Sequence, residues 1–392
     1  MIIKRILEEK IEKNLFKGKV IILYGARQTG KTTLVKSLYN RLNDGLDDEF
    51  LNSAKSKSSS SLTGSIYLNC DEPDIKDALT DKTSTELKYF IGNHKLVIID
   101  EAQRVKNIGL TLKLLTDNFP DMQIIATGSS SFELSNSIIE PLTGRKLEFY
   151  LYPLSIEELK TVYSDLEINR LLENLIIYGM YPGIVLDGDN RDAYLKELAR
   201  SYSYKDVLTY QNIRNHDALI KLLQALALQA GNEVSYNELS NLLGIDKKTV
   251  ENYVQILEKA FIIFRLTSFN TNMRNELKRL RKIYFYDTGI RNALINNLNP
   301  LNLRQDTGAL WENYIISERI KFLKNSGIDR RNYFWRSLSK QEVDYIEEEA
   351  GSIYGFEIKW KEDRLRVPKP FLDAYPHAKC FLINSKNYMK FI

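Results

Sequence analysis

The strongest constraint in this chain is a phosphate-binding loop set between a strand and a helix. Gly25-Ala26-Arg27-Gln28-Thr29-Gly30-Lys31-Thr32-Thr33 matches the G-x-x-x-x-G-K-[ST] pattern in full. The apolar run Val20-Ile21-Ile22-Leu23 before it reads as a strand, and Thr32 to Leu42 after it as a helix. In that order the loop N–H groups and the positive helix end face one polyphosphate. Lys31 is expected to reach the outer phosphates and Thr32 to ligand Mg2+.

Such a loop requires a parallel sheet, and the first 150 residues supply its pattern. Strand-like runs at Val20 to Tyr24, Ser65 to Asn69, Lys95 to Asp100, Gln123 to Thr127 and Leu147 to Leu151 alternate with helical spacing such as Ile108 to Phe119. The run Leu96-Val97-Ile98-Ile99-Asp100-Glu101 reads as a buried strand ending in two acids. There Asp100 is expected in the Mg2+ shell and Glu101 as the group that orients and activates the attacking water. The neighbouring run Ile124 to Ser130 ends in hydroxyls, so Thr127 and Ser129 are candidates to sense the γ-phosphate or hold the water. Arg145, on the approach to the fifth strand, is a candidate for stabilising transition-state charge, in cis or in trans, with an ordinary surface arginine or a structural ion pair as the alternative.

Composition narrows the remaining classes. With 43% hydrophobic and 27% charged residues, the 392-residue chain is an ordinary globular protein, long enough for several domains. Its net charge of +4 permits nucleic-acid binding without arguing for it. Cys70 and Cys380 lie far apart, and His94, His216 and His377 are scattered, so neither a disulfide framework nor a zinc site is expected. The amphipathic N-terminus is too often interrupted by Lys and Glu for a signal peptide, and no apolar run suggests a membrane span. A cytoplasmic location follows as an expectation. Residues 43 to 64 are polar and include a serine-rich tract, read as a surface loop.

Beyond the sheet the pattern changes twice. From Pro153 to about Tyr210 it is helical and charged, broken at Gly179-Met180-Tyr181-Pro182-Gly183, which implies a helical lid. Residues 217 to 266 then hold an apolar helix, a helix opened by the capping-box spacing of Ser235 to Glu238, the turn Gly244-Ile245-Asp246, and a third helix from Lys247 to Ala260. The strand Phe261 to Leu266 follows. That is the layout of a winged helix-turn-helix. Lys247, Lys248 and Asn252 lie on its third helix, and Arg274, Lys278, Arg279, Arg281 and Lys282 in the adjoining wing. They are the candidate DNA contacts, with a solvated face as the alternative.

The GARQTGKTT loop, the IIDEAQ and IATGSSS strands and the TGRKLEFYLYPLS segment resemble the AAA-superfamily ATP-binding proteins of archaea and bacteria. In that family a C-terminal domain of unknown function follows the ATPase. The resemblance extends through Tyr286-Asp287-Thr288-Gly289 and the helix Gly308 to Asn313. It implies an AAA-type ATPase core using ATP and Mg2+, not a settled biological role.

The last segment carries a second constellation. Glu312 falls on a helix, Asp344 on a strand, and Glu357 and Lys359 on one face of the next strand. The set resembles the metal site of PD-(D/E)xK nucleases, where Asp344 and Glu357 would hold Mg2+ and Lys359 would orient or deprotonate water. The alternatives are a nuclease-like fold kept for binding DNA or protein, and charges on a solvated sheet face.

The expected architecture is α/β. It comprises an AAA-type P-loop ATPase core over 1–153, a helical lid over 154–210, a winged helix-turn-helix with a basic wing over 211–299, and a small PD-(D/E)xK nuclease-like domain over 300–392. Two functions follow: an ATP-driven machine acting on double-stranded or branched DNA, or a nucleotide switch whose C-terminal half binds a protein partner without nuclease activity. Oligomeric state is open between them.

Overall fold

The computed structural model describes residues 3–43, 64–128, 142–186, 188, 190–201, 215–269 and 281–392. The chain divides into two compact units, Lys4–Tyr152 and Met1–Ile3 with Pro153–Ile392.

The first unit is built on five strands: β1 Val20–Tyr24, β2 Ser65–Asn69, β3 Leu96–Asp100, β4 Gln123–Gly128 and β5 Lys146–Tyr150. They pair in the order β2-β3-β4-β1-β5, all parallel. A parallel sheet is covered on both faces, so its central strands need unbroken apolar sequence. Accordingly every residue of β1, β3 and β4 is buried. The chain leaves β1, crosses to β2, returns through β3 and β4, and passes to β5 on the far side of β1. That reversal of direction leaves a crevice at the C-terminal end of β1, the expected ligand position of an open α/β sheet.

Helix Lys31–Asn43 starts at this crevice and buries Leu34, Val35 and Leu38 against Ile21, Leu23, Ile98 and Ile125. Each such side chain contributes about 1.5–3 kcal/mol by burial. Helix Ile6–Glu12 joins the same core through Leu7 and Ile11. Its acids fix it to the loop helix: Arg41 Nη2 donates to Glu8 Oε1 at 2.7 Å and also to Glu12, and Ser37 Oγ donates to Glu8 at 3.0 Å.

The second unit holds a seven-stranded sheet in the order β12-β11-β10-β9-β7-β8-β6. Its strands are β6 Glu233–Val234, β7 Ile263–Ser268, β8 Arg281–Phe285, β9 Arg331–Arg336, β10 Glu342–Glu349, β11 Ser352–Ile358 and β12 Lys379–Ile383. β6, β8 and β7 form an antiparallel ribbon beside helices His216–Leu228, Tyr236–Leu243 and Lys247–Lys259. β7 then pairs with β9 in parallel, so strands on both sides of residue 300 share one sheet.

Helix Thr307–Ser326 is the axis of this unit. Trp311, Tyr314, Ile315 and Ile316 sit in one core with Leu172, Leu175 and Ile176 of helix Asp165–Tyr178. The segment expected as a lid is thus part of the core that also holds the C-terminal strands. Polar groups lock it there. Lys321 Nζ donates to the Leu154 carbonyl at 3.0 Å, and Glu318 accepts from the Ile156 N–H at 2.9 Å. Asp287 accepts from the N–H groups of Met180 at 2.6 Å and Ile290 at 3.0 Å. Among the described residues no helix is long and apolar enough to cross a membrane.

Candidate functional site

The phosphate loop closes on itself at the end of β1. A Cβ on Gly25 would lie 2.3 Å from the Leu151 carbonyl oxygen, so only glycine fits where β1 passes the end of β5. Gly30 has φ +95°, a backbone state that side chains rarely adopt. Thr29, fully buried, donates from Oγ1 to the Ala26 carbonyl at 2.8 Å. Lys31 is 5% exposed, and its Nζ donates to the carbonyls of Gly25 at 2.8 Å and Ala26 at 2.9 Å. Arg27 is half-buried, whereas Gln28 and Thr33 are exposed.

Asp100 ends β3 directly across from the loop. Its carboxylate accepts from Thr32 Oγ1 at 2.8 Å, from Tyr67 OH at 2.5 Å and from Thr127 Oγ1. Three strands and the loop helix therefore converge on one acid that is 2% exposed. Burial, and then the bond to Asp100, raises the Tyr67 phenol far above its ordinary value, so it stays a proton donor. Burial followed by the Asp100 charge also pushes the Cys70 thiol up to about 12. Thr32 and Asp100 present hard oxygen donors side by side, the donor set that Mg2+ requires.

Glu101 takes φ +53°, the left-handed region that non-glycine residues occupy at a cost. Its N–H donates to Thr127 Oγ1 at 3.0 Å, and its carboxylate accepts from Gln103. Both hydroxyl functions of Thr127 are thereby engaged by Asp100 and Glu101. Thr127, fully buried near the end of β4, lies between the two acids. Ser129 lies outside the described residues.

Arg145 takes the ion-pair alternative within its own chain. It precedes β5, whose first residue pairs with Val20 at the start of β1, and the Val20 N–H donates to the Arg145 carbonyl at 2.9 Å. The loop follows the other end of β1. Because the strands are parallel, Arg145 sits at the sheet edge opposite the loop, where its Nε donates to Asp117 at 2.6 Å. It does not face the loop of its own chain.

The second unit brings Glu312, Asp344, Glu357 and Lys359 together. Lys359 Nζ donates to Asp344 Oδ2 at 3.0 Å and lies 2.8 Å from Glu357 Oε1, while the Ile358 N–H donates to Asp344 at 2.8 Å. Carboxylate oxygens of Glu312, Glu342 and Asp344 lie within 4.8 Å of one another. Lys282 occupies this cluster. It is 2% exposed, donates to Glu312 Oε1 at 3.0 Å and pairs with Glu342. Tyr284 OH donates to the same Glu312 oxygen at 2.5 Å.

Burial, reinforced by the charge of Asp344, pushes the Glu312 carboxyl up to about 7 even with Lys282 beside it. Burial and Asp344 also raise Glu357. Burial works against the charge of each lysine, yet the surrounding carboxylates hold both above their ordinary value. One oxygen each of Glu312, Glu342 and Asp344 already faces an ammonium group, so Lys282 and Lys359 would compete with a divalent ion for them.

Lys282 was expected as a DNA contact and is instead a buried internal cation. β8 has a side-chain period of two, which turns Lys282 and Tyr284 to the same face, toward Glu312. Glu342, two residues before Asp344 on the same strand, is a further member of the cluster. Arg281 lies with its guanidinium 4.3 Å from the centre of the Tyr236 ring. Lys247, Lys248 and Asn252 are exposed near the start of helix Lys247–Lys259. Arg274, Lys278 and Arg279 lie outside the described residues.

Known families align with this organisation. Residues 17–160 match a family model described as an AAA domain. Residues 169–302 match a domain of unknown function (DUF8612), and residues 307–391 another (DUF4143). The chain is 28% identical over 363 residues to a protein of Methanocaldococcus jannaschii described as uncharacterized, across 87% of this chain and 75% of that one. It is 26% identical over 366 residues to an uncharacterized protein of Mycobacterium tuberculosis, across 92% of this chain and 74% of the relative. Among solved structures, the Walker-type ATPase of Pyrococcus abyssi matches with a TM-score of 0.42 and 17% identity, over 75% of this chain and 96% of that chain.

Proposed function

We propose that this chain, whose residues 17–160 match an AAA-domain model and residues 307–391 a domain of unknown function, binds and hydrolyses ATP with Mg2+ to move a DNA-associated C-terminal module. The observation that carries the hydrolytic part is the 2.8 Å contact between Thr32 Oγ1 and Asp100 Oδ2, which joins the two halves of a phosphate-loop site. The loop N–H groups and Lys31 bind the polyphosphate, and Thr32 and Asp100 hold Mg2+. When bound, the ion neutralises charge on the phosphate oxygens. Glu101, held by Thr127 at the end of β3, orients the attacking water and accepts its proton.

Lys31→Ala is expected to abolish ATP binding. Glu101→Gln should keep binding and lose turnover, and an active Glu101 variant would remove that residue from the base role. What speaks for the DNA-associated part is the succession of helices His216–Leu228, Tyr236–Leu243 and Lys247–Lys259, with Lys247, Lys248 and Asn252 exposed, and the grouping of Asp344, Glu357 and Lys359.

A second reading is favoured by a different observation. Lys282, buried against Glu312 and Glu342, supplies a cation to two of the three clustered carboxylates that could otherwise hold a metal ion. On that reading the second unit is a binding module for a protein partner, and ATP acts as a regulatory switch. DNA-stimulated ATP turnover, together with metal-dependent nicking of plasmid or branched duplexes that Lys359→Ala removes, supports the first reading. Slow turnover indifferent to DNA, with no nicking, supports the second.

A further inference from the structure

We propose that Arg5 is a positioning residue of the phosphate loop, holding the Thr29–Gly30 peptide in the orientation that binds phosphate. Arg5 precedes helix Ile6–Glu12 and is 8% exposed. Its Nη1 donates to the Thr29 carbonyl at 2.6 Å, and its Nη2 to the Tyr152 carbonyl at 2.6 Å. One planar guanidinium therefore spans the loop and the segment that follows β5.

The consequence follows from peptide geometry. The chain has no cis peptide bond among the described residues, and in a trans peptide the C=O and the following N–H point in opposite directions. Fixing the Thr29 carbonyl toward Arg5 fixes the Gly30 N–H away from it, free to meet an anion on the opposite side of that peptide. Gly30, at φ +95°, lacks the side-chain restriction that would otherwise hold this peptide. Without Arg5 the peptide is free to turn, and the loop offers a carbonyl oxygen in place of an N–H to a negatively charged ligand.

The anchoring of Arg5 fits that task. Leu7 and Ile11 bury the following helix in the core shared with Leu34, Val35 and Leu38, and Arg41 ties Glu8 and Glu12 to the loop helix. The guanidinium is thus carried on the same packed elements as the loop it supports. Two carbonyls in a fork suit an arginine. A lysine, with a single charged nitrogen on a flexible stem, does not reproduce that planar span.

The inference rests on the ATP-binding reading, and the test separates the two. Dissociation constants for ATP are measured for the full chain and for Arg5→Ala, Arg5→Lys and Lys31→Ala, alongside kcat, KM and thermal midpoints. Arg5→Ala should weaken ATP at least tenfold, the scale of one charged hydrogen bond, with KM rising and kcat nearly kept. Arg5→Lys should recover only part of the loss, and millimolar methylguanidinium should restore binding to Arg5→Ala. If the unsubstituted chain binds no ATP, the underlying reading fails. If it binds ATP and Arg5→Ala binds equally well, or loses kcat at constant KM, or is only less heat-stable without rescue, the positioning role is overturned.

Discussion

Two buried aspartates, Asp100 in the first unit and Asp344 in the second, end in opposite electrostatic situations. Asp100 is surrounded by hydroxyl donors from Thr32, Tyr67 and Thr127, and among the described residues it forms no ion pair. Asp344 accepts from the Lys359 ammonium and sits in a cluster that also holds Lys282. Neutral donors fix a carboxylate in place while leaving its charge available to a cation. Ammonium donors compensate that charge inside the protein. The first arrangement leaves the carboxylate charge uncompensated among the described residues, and the second compensates it with ammonium groups.

The contrast is broken most directly by neutralising each aspartate in turn. Asp100→Asn keeps the shape and one acceptor but removes the charge. Turnover of ATP should fall on the order of 100-fold or more, with a higher Mg2+ requirement, because metal stabilisation of phosphoryl charge is worth several kcal/mol. Asp344→Asn should leave ATP affinity and basal turnover unchanged. A magnesium titration of turnover on both variants checks this. Equal losses in the two would mean that the centres do not divide the work as their donors imply.

Stability should show the reverse ranking. Lys282→Met leaves the half-buried Glu312 and Glu342 without their buried ammonium, and breaking a fully buried pair from one side costs about 3–5 kcal/mol, an upper bound here. Urea denaturation followed by circular dichroism is the measurement, and a change under about 1 kcal/mol would show that the pair is not needed for the fold. Glu312 adds a pH signature of its own. Its carboxyl is raised from 4.5 to about 7 in the folded chain, chiefly by burial. A raised folded value means that its contribution to stability is full below about pH 4.5 and is lost as pH rises through about 7. Glu312→Gln should flatten that slope. In Lys282→Met the step should move to higher pH, since Lys282 is what lowers the Glu312 value.

These centres were unequally legible in the sequence. The loop, β1, β3 and the two acids could be read because they depend on local pattern: unbroken apolar runs, a glycine spacing, and acids at a strand end. Arg5 and Tyr67 could not, because what gives them meaning is contact with Thr29, Tyr152 and Asp100 across the fold. Lys282 was misread for a related reason. A lysine in a basic run looks like surface until strand pairing shows that its carboxylate partners lie 30 and 60 positions away. Arg145 carried a usable signal. In a parallel sheet, a residue just before β5 lies at the end opposite a loop that follows β1.

The smallest effect offers the sharpest test of the hydroxyl arrangement. Tyr67→Phe removes one donor from Asp100 and nothing else of comparable size, since the phenol is protonated and uncharged at any working pH. Losing one hydrogen bond costs about 1 kcal/mol, so the apparent Mg2+ affinity in the presence of ATP should change by less than tenfold. The direction carries the information. If the hydroxyl serves to hold the carboxylate in place, its loss weakens Mg2+ binding. If Tyr67 instead competes with the ion for the same oxygen, Oδ2, which also accepts from Thr32, its loss strengthens binding, and the idea of hydroxyls that keep Asp100 open for a cation would have to give way to one in which they guard it.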